Sequence, residues 1–203
     1  MHSPHLSLVG VTAWRLLVAT CGFVGFGAAV AVLDNPWSAL SQQASLFTGL
    51  VYLGLALYPV LTRELEPRSP WLRGATCVLL LLVAGTYMSL MSGDLSSVHS
   101  LFEHLLTPLV VLVDWVFVGR NQARVRWWHP LSWVVFPLAY LVYFVVDRPR
   151  LYRGFLNPDS GDFPGTVAAF LVAVLAAGYV LYGIAKTRAA MTQAKPVLQG
   201  GQA

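Results

Sequence analysis

Charged residues are scarce in this sequence of 203 residues. Aspartate, glutamate, lysine and arginine together make up 11% of the chain, whereas a soluble domain of this size carries about a quarter. Hydrophobic residues make up 57%. So few charges cannot cover the surface of a water-soluble fold, which argues against a soluble enzyme or binding domain. We therefore expect a protein that lies in a lipid bilayer.

Two further features are scarce or missing. The only cysteines, Cys21 and Cys77, both fall inside apolar runs. They form neither a disulfide framework nor a zinc motif, so we interpret them as small buried apolar residues. The first apolar run has no basic residue before Arg15 and no clear A-x-A cleavage site. We therefore expect this run to be retained as a membrane span rather than removed as a secretory signal.

Long apolar runs, in contrast, occur six times. With short flanks each is about 17 to 22 residues long, enough for a helix to cross a hydrocarbon core of roughly 30 Å. They cover approximately Trp14–Leu33, Ser41–Leu61, Leu72–Met91, Leu101–Val118, Trp133–Val146 and Thr166–Ala185. The predicted fold class is all-α, a polytopic bundle of six transmembrane helices over residues 1–188.

The segments between the runs read as loops. Proline, glycine and asparagine break the chain at Asp34–Pro36, at Glu66–Pro70 and at Ser92–Asp94. The longest connection, Asp147–Gly165, is rich in proline, glycine and charge, and we expect it to fold as a small cap. The final stretch, Ala189–Ala203, is rich in glutamine, glycine and alanine, and we expect a disordered cytoplasmic tail.

Lysine and arginine predict the orientation in the membrane. If the loops alternate, ten of the thirteen basic residues lie on the side of both termini. These are Arg15, Arg63, Arg68, Arg73, Arg120, Arg124, Arg126, Lys186, Arg188 and Lys195. The positive-inside rule then predicts a multi-pass protein of the cell membrane with both termini cytoplasmic. Topology explains the net charge of +4, so we expect membrane lipids and no nucleic acid as partners.

Two polar residues, Thr48 and His104, stand out within the apolar runs. At about 1.5 Å per residue, Thr48 lies on the order of 10 Å from the outer end of the second span and His104 roughly 5 to 9 Å from that of the fourth. Two helices that run inward from the same face can bring a hydroxyl and an imidazole to one level. This pair is the minimum for a base-activated alcohol nucleophile. A threonine that bonds one helical turn back and a histidine that reaches to water are the ordinary alternatives.

Neighbouring residues extend this polar pattern. Ser45 and Thr48 share one stripe of the second span, while Pro108 is expected to kink the fourth span below His104. Ser45 or Tyr143 could donate a hydrogen bond to a developing oxyanion. Asp114 lies roughly 15 Å further along than His104, so we expect it to bond to a neighbouring helix.

A metal site is the competing interpretation, because Asp94, His99, Glu103 and His104 occur within about ten residues. On a helix, however, His104 points about 100° away from Glu103 and about 140° away from His99, so one face cannot collect all three. The sequence also lacks the H-E-x-x-H pattern. We therefore expect no metal and no other cofactor.

At these residues the chain resembles a known family. The matching stretches are Phe47-Thr48, His104 with Pro108 and Leu112-Val113-Asp114-Trp115, Trp133 with Pro137-Leu138-Ala139-Tyr140, and Tyr152 with Phe155-Leu156-Asn157-Pro158. Together they span about half of the chain. They are similar to the bacterial branch of the androgen-induced-gene family of six-span membrane proteins. The animal members of that family are threonine hydrolases that act on fatty acid esters of hydroxy fatty acids.

The resemblance implies a membrane hydrolase of such lipid esters or related ones, with Thr48 as the nucleophile and His104 as its base. Asn157, in the matching stretch of the outer loop, is a further candidate for pocket or oxyanion support beside Ser45 and Tyr143. A non-catalytic membrane scaffold and a transporter of lipids or small molecules stay open as other classes. The sequence leaves the natural ester and the oligomeric state open.

Overall fold

The apolar runs form helices because lipid offers the backbone no hydrogen-bond partners, so each span must satisfy its own N–H and C=O groups. The computed structural model describes residues 4–147 and 150–194. Within these ranges there are six helices long and apolar enough to cross a membrane, and no strand. They are α1 (Pro4–Val32), α2 (Leu40–Thr62), α3 (Trp71–Leu90), α4 (Val98–Val118), α5 (His129–Asp147) and α6 (Phe163–Ala194). The predicted all-α bundle of six helices is confirmed.

Hydrogen bonds between loops group the two ends of the bundle. At one end, which we name the cap end, the Tyr152 hydroxyl accepts a bond from the Leu40 amide at 3.1 Å, and the Tyr140 hydroxyl donates to the Ser38 carbonyl at 2.8 Å. At the other, the tail end, Glu66 accepts bonds from the amides of Arg120 and Asn121. The loops therefore alternate between the two ends as the sequence predicts.

The C-terminal part of the chain agrees with one prediction and corrects another. The loop before α6 does fold as a small cap, in which a 3₁₀ turn at Arg150–Tyr152 buries Tyr152 against Phe144. The last helix, however, continues to Ala194, so residues 189–194 are helical rather than disordered. The rest of the predicted tail, 195–203, lies outside the described residues.

Glycine allows α1 and α2 to pack at very close range. A Cβ at Gly22 would lie 2.7 Å from the Ser45 carbonyl oxygen and from the Gly49 amide nitrogen. On the opposite helix, a Cβ at Gly49 would lie 2.7 Å from the ring of Phe23. Small residues give helices in lipid their close van der Waals contact. The contact between α1 and α2 is the most extensive between any two helices, and it sets the position of the polar stripe on α2.

A buried ion pair joins three helices toward the tail end. Arg73 on α3 donates to the Asp114 carboxylate on α4 through Nε at 2.8 Å and Nη2 at 2.6 Å. The Tyr52 hydroxyl on α2 donates to the same oxygen at 3.0 Å, and Arg73 Nη1 reaches the Asn121 side chain. The prediction that Asp114 bonds to a neighbouring helix is therefore confirmed. Arg73 is one of the ten basic residues that the sequence assigns to the side of the termini, but its side chain lies inside the bundle rather than at the surface.

Arg15 on α1 forms the second ion pair of the described chain. Its Nη2 donates to Glu66 Oε1 at 2.6 Å, and its Nη1 donates to the carbonyls of Leu55 and Leu65. Glu66 in turn holds the loop that follows α4. Both arginines thus serve as internal ties rather than as free surface charges.

The topology can be tested with single cysteines. Cys21 and Cys77 are buried, so the parent should react little with an impermeant thiol reagent. We expect Gly161→Cys, in the exposed cap loop, to react from outside intact cells, and Ala123→Cys, in the exposed loop at the tail end, to react only after the cells are opened. Labelling would be read by a shift in mass on a gel. The reverse pattern would place the termini outside.

The ion pair predicts a large loss of stability when one partner is removed. Asp114→Ala leaves the Arg73 guanidinium buried without its counter-charge, which should cost about 3–5 kcal/mol. Thermal melting in detergent micelles measures the loss. Glu64→Ala, which removes an exposed carboxylate whose side chain makes only a contact of 3.5 Å with the Tyr58 hydroxyl, is the control and should melt with the parent. An Asp114→Ala protein as stable as the parent would show that the pair contributes nothing.

Candidate functional site

The helix α4 is distorted at the level where the sequence places His104. Phe102–Leu106 form a π-helical turn, and the Thr107 amide bonds to the Phe102 carbonyl five residues back. Pro108 follows immediately and has no amide hydrogen to donate. Such turns occur often at functional sites. This one packs against α1, α2 and α3, so it lies inside the bundle.

The wide turn directs two neighbouring polar side chains inward. Glu103 is completely buried and faces α1 and α2, where its Oε2 accepts a bond of 2.9 Å from Gln42 Nε2. A Cβ at Gly25 would lie 3.2 Å from the Glu103 side chain, so glycine makes room for it. His104, which is 8% exposed, faces α3 instead. The two side chains point in different directions, as the sequence predicts, yet both are inside.

His104 is held by stacking. Its ring lies parallel to the ring of Tyr87, with centroids 3.6 Å apart and an angle of 4° between the planes. Tyr87 is fixed in turn, because its hydroxyl donates to the Asp94 carbonyl at 2.6 Å and accepts a bond from Ser100. The Nδ1 atom of His104 is buried and has no hydrogen-bond partner. The imidazole is therefore oriented by an aromatic surface rather than by a carboxylate.

Two cavities meet beside this imidazole. The first, the apolar cavity, has a volume of about 100 Å³ and is lined largely by apolar side chains of α3, α5, α6 and the cap. The second, the polar cavity, has a volume of about 340 Å³ and includes Asp34, Asn35, Gln42 and His99 near the loops of the cap end. Five residues line both: Ser41, Tyr87, Met91, His104 and Tyr152. We call these five the junction.

Thr48, the predicted nucleophile, lies below the junction. It is fully buried, and its hydroxyl donates to the Ala44 carbonyl at 2.7 Å, the ordinary bond of a helical threonine. It lines neither cavity. α2 nevertheless contacts the π-helical turn that carries His104, so the two elements that the dyad requires are neighbours.

The three predicted support residues also lie outside the lining of both cavities. Ser45 is fully buried near Gly25, and its hydroxyl has no partner. The Tyr143 hydroxyl donates to the Asp147 carboxylate at 2.9 Å. In the cap, Asn157 Oδ1 accepts a bond of 3.1 Å from the Asp159 amide. Tyr143 and Asn157 thus have local bonds of their own, and only Ser45 has a free hydroxyl.

Of the eight buried polar side-chain atoms without a partner in the described part of the chain, four lie at or beside the π-helical turn. They are Ser45 Oγ, Glu103 Oε1, His104 Nδ1 and Thr107 Oγ1. Buried polar groups without partners are rare in proteins, and a catalytic role is one of the explanations for them. Among the described residues, no three histidine, cysteine or acidic side chains gather as they would around a metal ion.

The sequence pattern gave little sign of several junction residues. Ser41 reads as the first residue of a span and Tyr87 as an aromatic of the membrane interface. Tyr152 reads as part of a loop, yet burial raises the pKa of its hydroxyl above the ordinary value and it bonds to the first turn of α2. Their common signal is a polar atom at a helix end, which in most membrane proteins indicates only the interface.

Comparisons of the chain with protein-family models, with curated proteins and with solved structures find no match.

The junction predicts which serine of α2 can be reached from outside. Ser41→Cys should react with a small methanethiosulfonate reagent on protein purified in detergent, because Ser41 lines both cavities. Ser45→Cys, one turn further along α2, should stay unmodified because Ser45 is fully buried. Mass spectrometry of the intact protein counts the adducts. Equal labelling of the two variants would contradict the arrangement of the cavities.

Proposed function

We propose that this protein is an integral membrane hydrolase of lipid esters, such as fatty acid esters of hydroxy fatty acids, with His104 as the base and Thr48 as the nucleophile. The observation that carries the proposal is the position of His104 where an apolar cavity and a polar cavity meet. An ester with a long acyl chain needs apolar surface for the chain and access to water for its hydrolysis. The junction offers both to one imidazole.

The apolar cavity offers the kind of surface that an acyl chain needs. Its lining includes Leu82, Leu138, Phe170 and Val174, which belong to helices that also face lipid. A substrate dissolved in the bilayer can therefore enter sideways without crossing water. The polar cavity, with Asp34, Asn35 and His99, suits water and the more polar alcohol part of the ester.

The chemistry follows from the two residues. As the Thr48 oxygen attacks the carbonyl carbon of the ester, His104 takes the threonine proton, and the new C–O bond gives a tetrahedral intermediate. The intermediate collapses when the bond to the leaving alcohol breaks and that oxygen takes the proton from His104. Water then attacks the acyl-threonine with His104 again as the base, releases the carboxylic acid and restores Thr48.

This role requires the Thr48 hydroxyl to leave the Ala44 carbonyl. A helical threonine populates two side-chain rotamers, one of which serves the bond to the preceding turn. Rotation about the Cα–Cβ bond can therefore free the hydroxyl without a change in the helix. The lost bond is worth about 1 kcal/mol, which is small beside the barrier of the reaction.

A fluorophosphonate probe tests the proposal most directly. We expect purified parent protein to be labelled at Thr48, and Thr48→Ala to remain unlabelled. A scaffold or a transporter predicts no labelling of either protein, and no hydrolysis of a 4-methylumbelliferyl fatty ester. That result would overturn the proposed function.

Substitution of the dyad should abolish turnover. Thr48→Val and His104→Gln are each expected to lower the rate by about 10²- to 10⁴-fold, and the double variant little further, because the two residues act as one unit. Thr48→Ser keeps the hydroxyl and should retain part of the activity. Hydrolysis of the fluorogenic ester measures each rate.

Thr76→Val is the matched control. Thr76 is also fully buried, and its hydroxyl donates to the Leu72 carbonyl at 2.8 Å in the same way. Like Thr48 it lines neither cavity, but it lies on α3 eleven residues before Tyr87, the residue on which His104 stacks, and so is remote from the imidazole. It should keep the parent rate. If a folded Thr48→Val protein hydrolyses the ester as fast as Thr76→Val, Thr48 is a helix residue and not the nucleophile.

A further inference from the structure

We propose that a small monovalent cation, for which Na⁺ serves as the probe, binds between the Glu103 carboxylate on α4 and the Ser45 hydroxyl on α2. The inference does not depend on the proposed hydrolase activity. The sequence predicts no metal, because one helix face cannot collect His99, Glu103 and His104. A sodium ion needs neither a histidine nor a second acid, since oxygen atoms are the ligands that hard cations take.

The first argument is charge. Glu103 is completely buried, and no lysine or arginine of the described chain forms an ion pair with it. The two buried arginines, Arg15 and Arg73, are paired toward the tail end with Glu66 and Asp114 respectively. Asp114 lies eleven residues further along α4 than Glu103, which is about 16 Å. An unpaired carboxylate is costly inside a bilayer, so Glu103 has to take up a proton or a cation from outside the protein.

The second argument is the set of unpartnered oxygens beside this carboxyl. Glu103 Oε1 and Ser45 Oγ are both buried without a hydrogen-bond partner, so they do not bond to each other. A Cβ at Gly25 would lie 3.2 Å from Glu103 Cγ and 3.5 Å from Ser45 Oγ, which places the two side chains beside the same point of α1. Thr107 Oγ1, four residues further along α4, is a third such oxygen. A proton on Oε1 would add a donor without an acceptor, whereas a cation uses the lone pairs of both oxygens.

The third argument is access from water. Ser41 and Gln42 both donate hydrogen bonds to the Glu103 carboxyl, Gln42 to Oε2 at 2.9 Å, and both residues line the polar cavity. The carboxyl therefore lies directly behind the wall of that cavity. Among its described lining residues the cavity has the exposed carboxylate of Asp34 and no lysine or arginine, so it attracts cations rather than anions. A cation can thus arrive from the loops of the cap end without crossing lipid.

Thermal melting in detergent tests the site. Replacement of choline by Na⁺ at constant ionic strength should raise the melting temperature of the parent, by about 3–6 °C once Na⁺ reaches roughly ten times its Kd. Glu103→Gln keeps the shape of the side chain and removes its charge, so its melting temperature should not respond to the exchange. Glu64→Gln, at an exposed carboxylate, is the matched control and should respond as the parent does.

Binding of radioactive sodium measures the ion directly and needs only the parent protein to fold. In a scintillation proximity assay, we expect the parent to bind the isotope and to release it to unlabelled NaCl but not to choline chloride. Ser45→Ala removes one ligand and should bind sodium more weakly. Ser89→Ala, at an exposed serine on α3, is the control and should bind as the parent does.

Three results would overturn the cation site. A parent that binds no sodium, and whose melting temperature ignores it, holds only water at this place. If the melting temperature of the parent, but not that of Glu103→Gln, rises as the pH falls and is the same with and without Na⁺, the carboxyl takes up a proton instead. A sodium response that persists unchanged in Glu103→Gln would place the ion elsewhere. None of these results alters the labelling of Thr48 by the fluorophosphonate, so this inference and the proposed function can fail separately.

Discussion

The buried pair of Arg73 and Asp114 determines how the spans of this bundle meet. A charge inside a bilayer is expensive unless a partner compensates it, and here the guanidinium binds the carboxylate through two nitrogens. The pair fixes α3 against α4, and Tyr52 ties α2 to the same oxygen. Any sliding of one helix past another would separate these groups. The pair therefore sets the depth at which α2 and α4 face each other, and with it the level of the site above.

Buried polar groups also occur at the cap end, around the π-helical turn. Two of them, Glu103 Oε1 and Thr107 Oγ1, have no hydrogen-bond partner. The π-helical turn inserts one extra residue into the helix, so the side chains before and after it no longer follow one helical register. This local distortion places Glu103 against α2 and His104 against Tyr87, both inside the bundle.

The sequence predicts the helices well and the site only in part, for physical reasons that particular residues illustrate. Hydropathy identifies a span because the whole apolar run must lie in the bilayer. The sequence also predicts that Asp114 bonds to a neighbouring helix, because an unpaired charge in lipid is expensive. Arg73 could not be identified as that partner, because an arginine at the start of a span normally extends to water. The depths of Thr48 and His104 follow from the rise per residue, whereas the direction of each side chain depends on packing. For the same reason the sequence does not predict that Ser41 lines two cavities, because their other walls include residues of α5, α6 and the cap, which are remote in sequence.

The manner in which His104 is held bears on the kind of catalyst proposed here. In hydrolases with a catalytic triad, a carboxylate orients the imidazole and stabilises the cation that forms when it takes a proton. Here His104 Nδ1 has no partner, and stacking on Tyr87 fixes only the plane of the ring. The cation formed in the reaction would then lack a counter-charge and would return its proton readily to the leaving alcohol. The stabilisation of the transition state must come from the other side, through hydrogen bonds to the developing oxyanion.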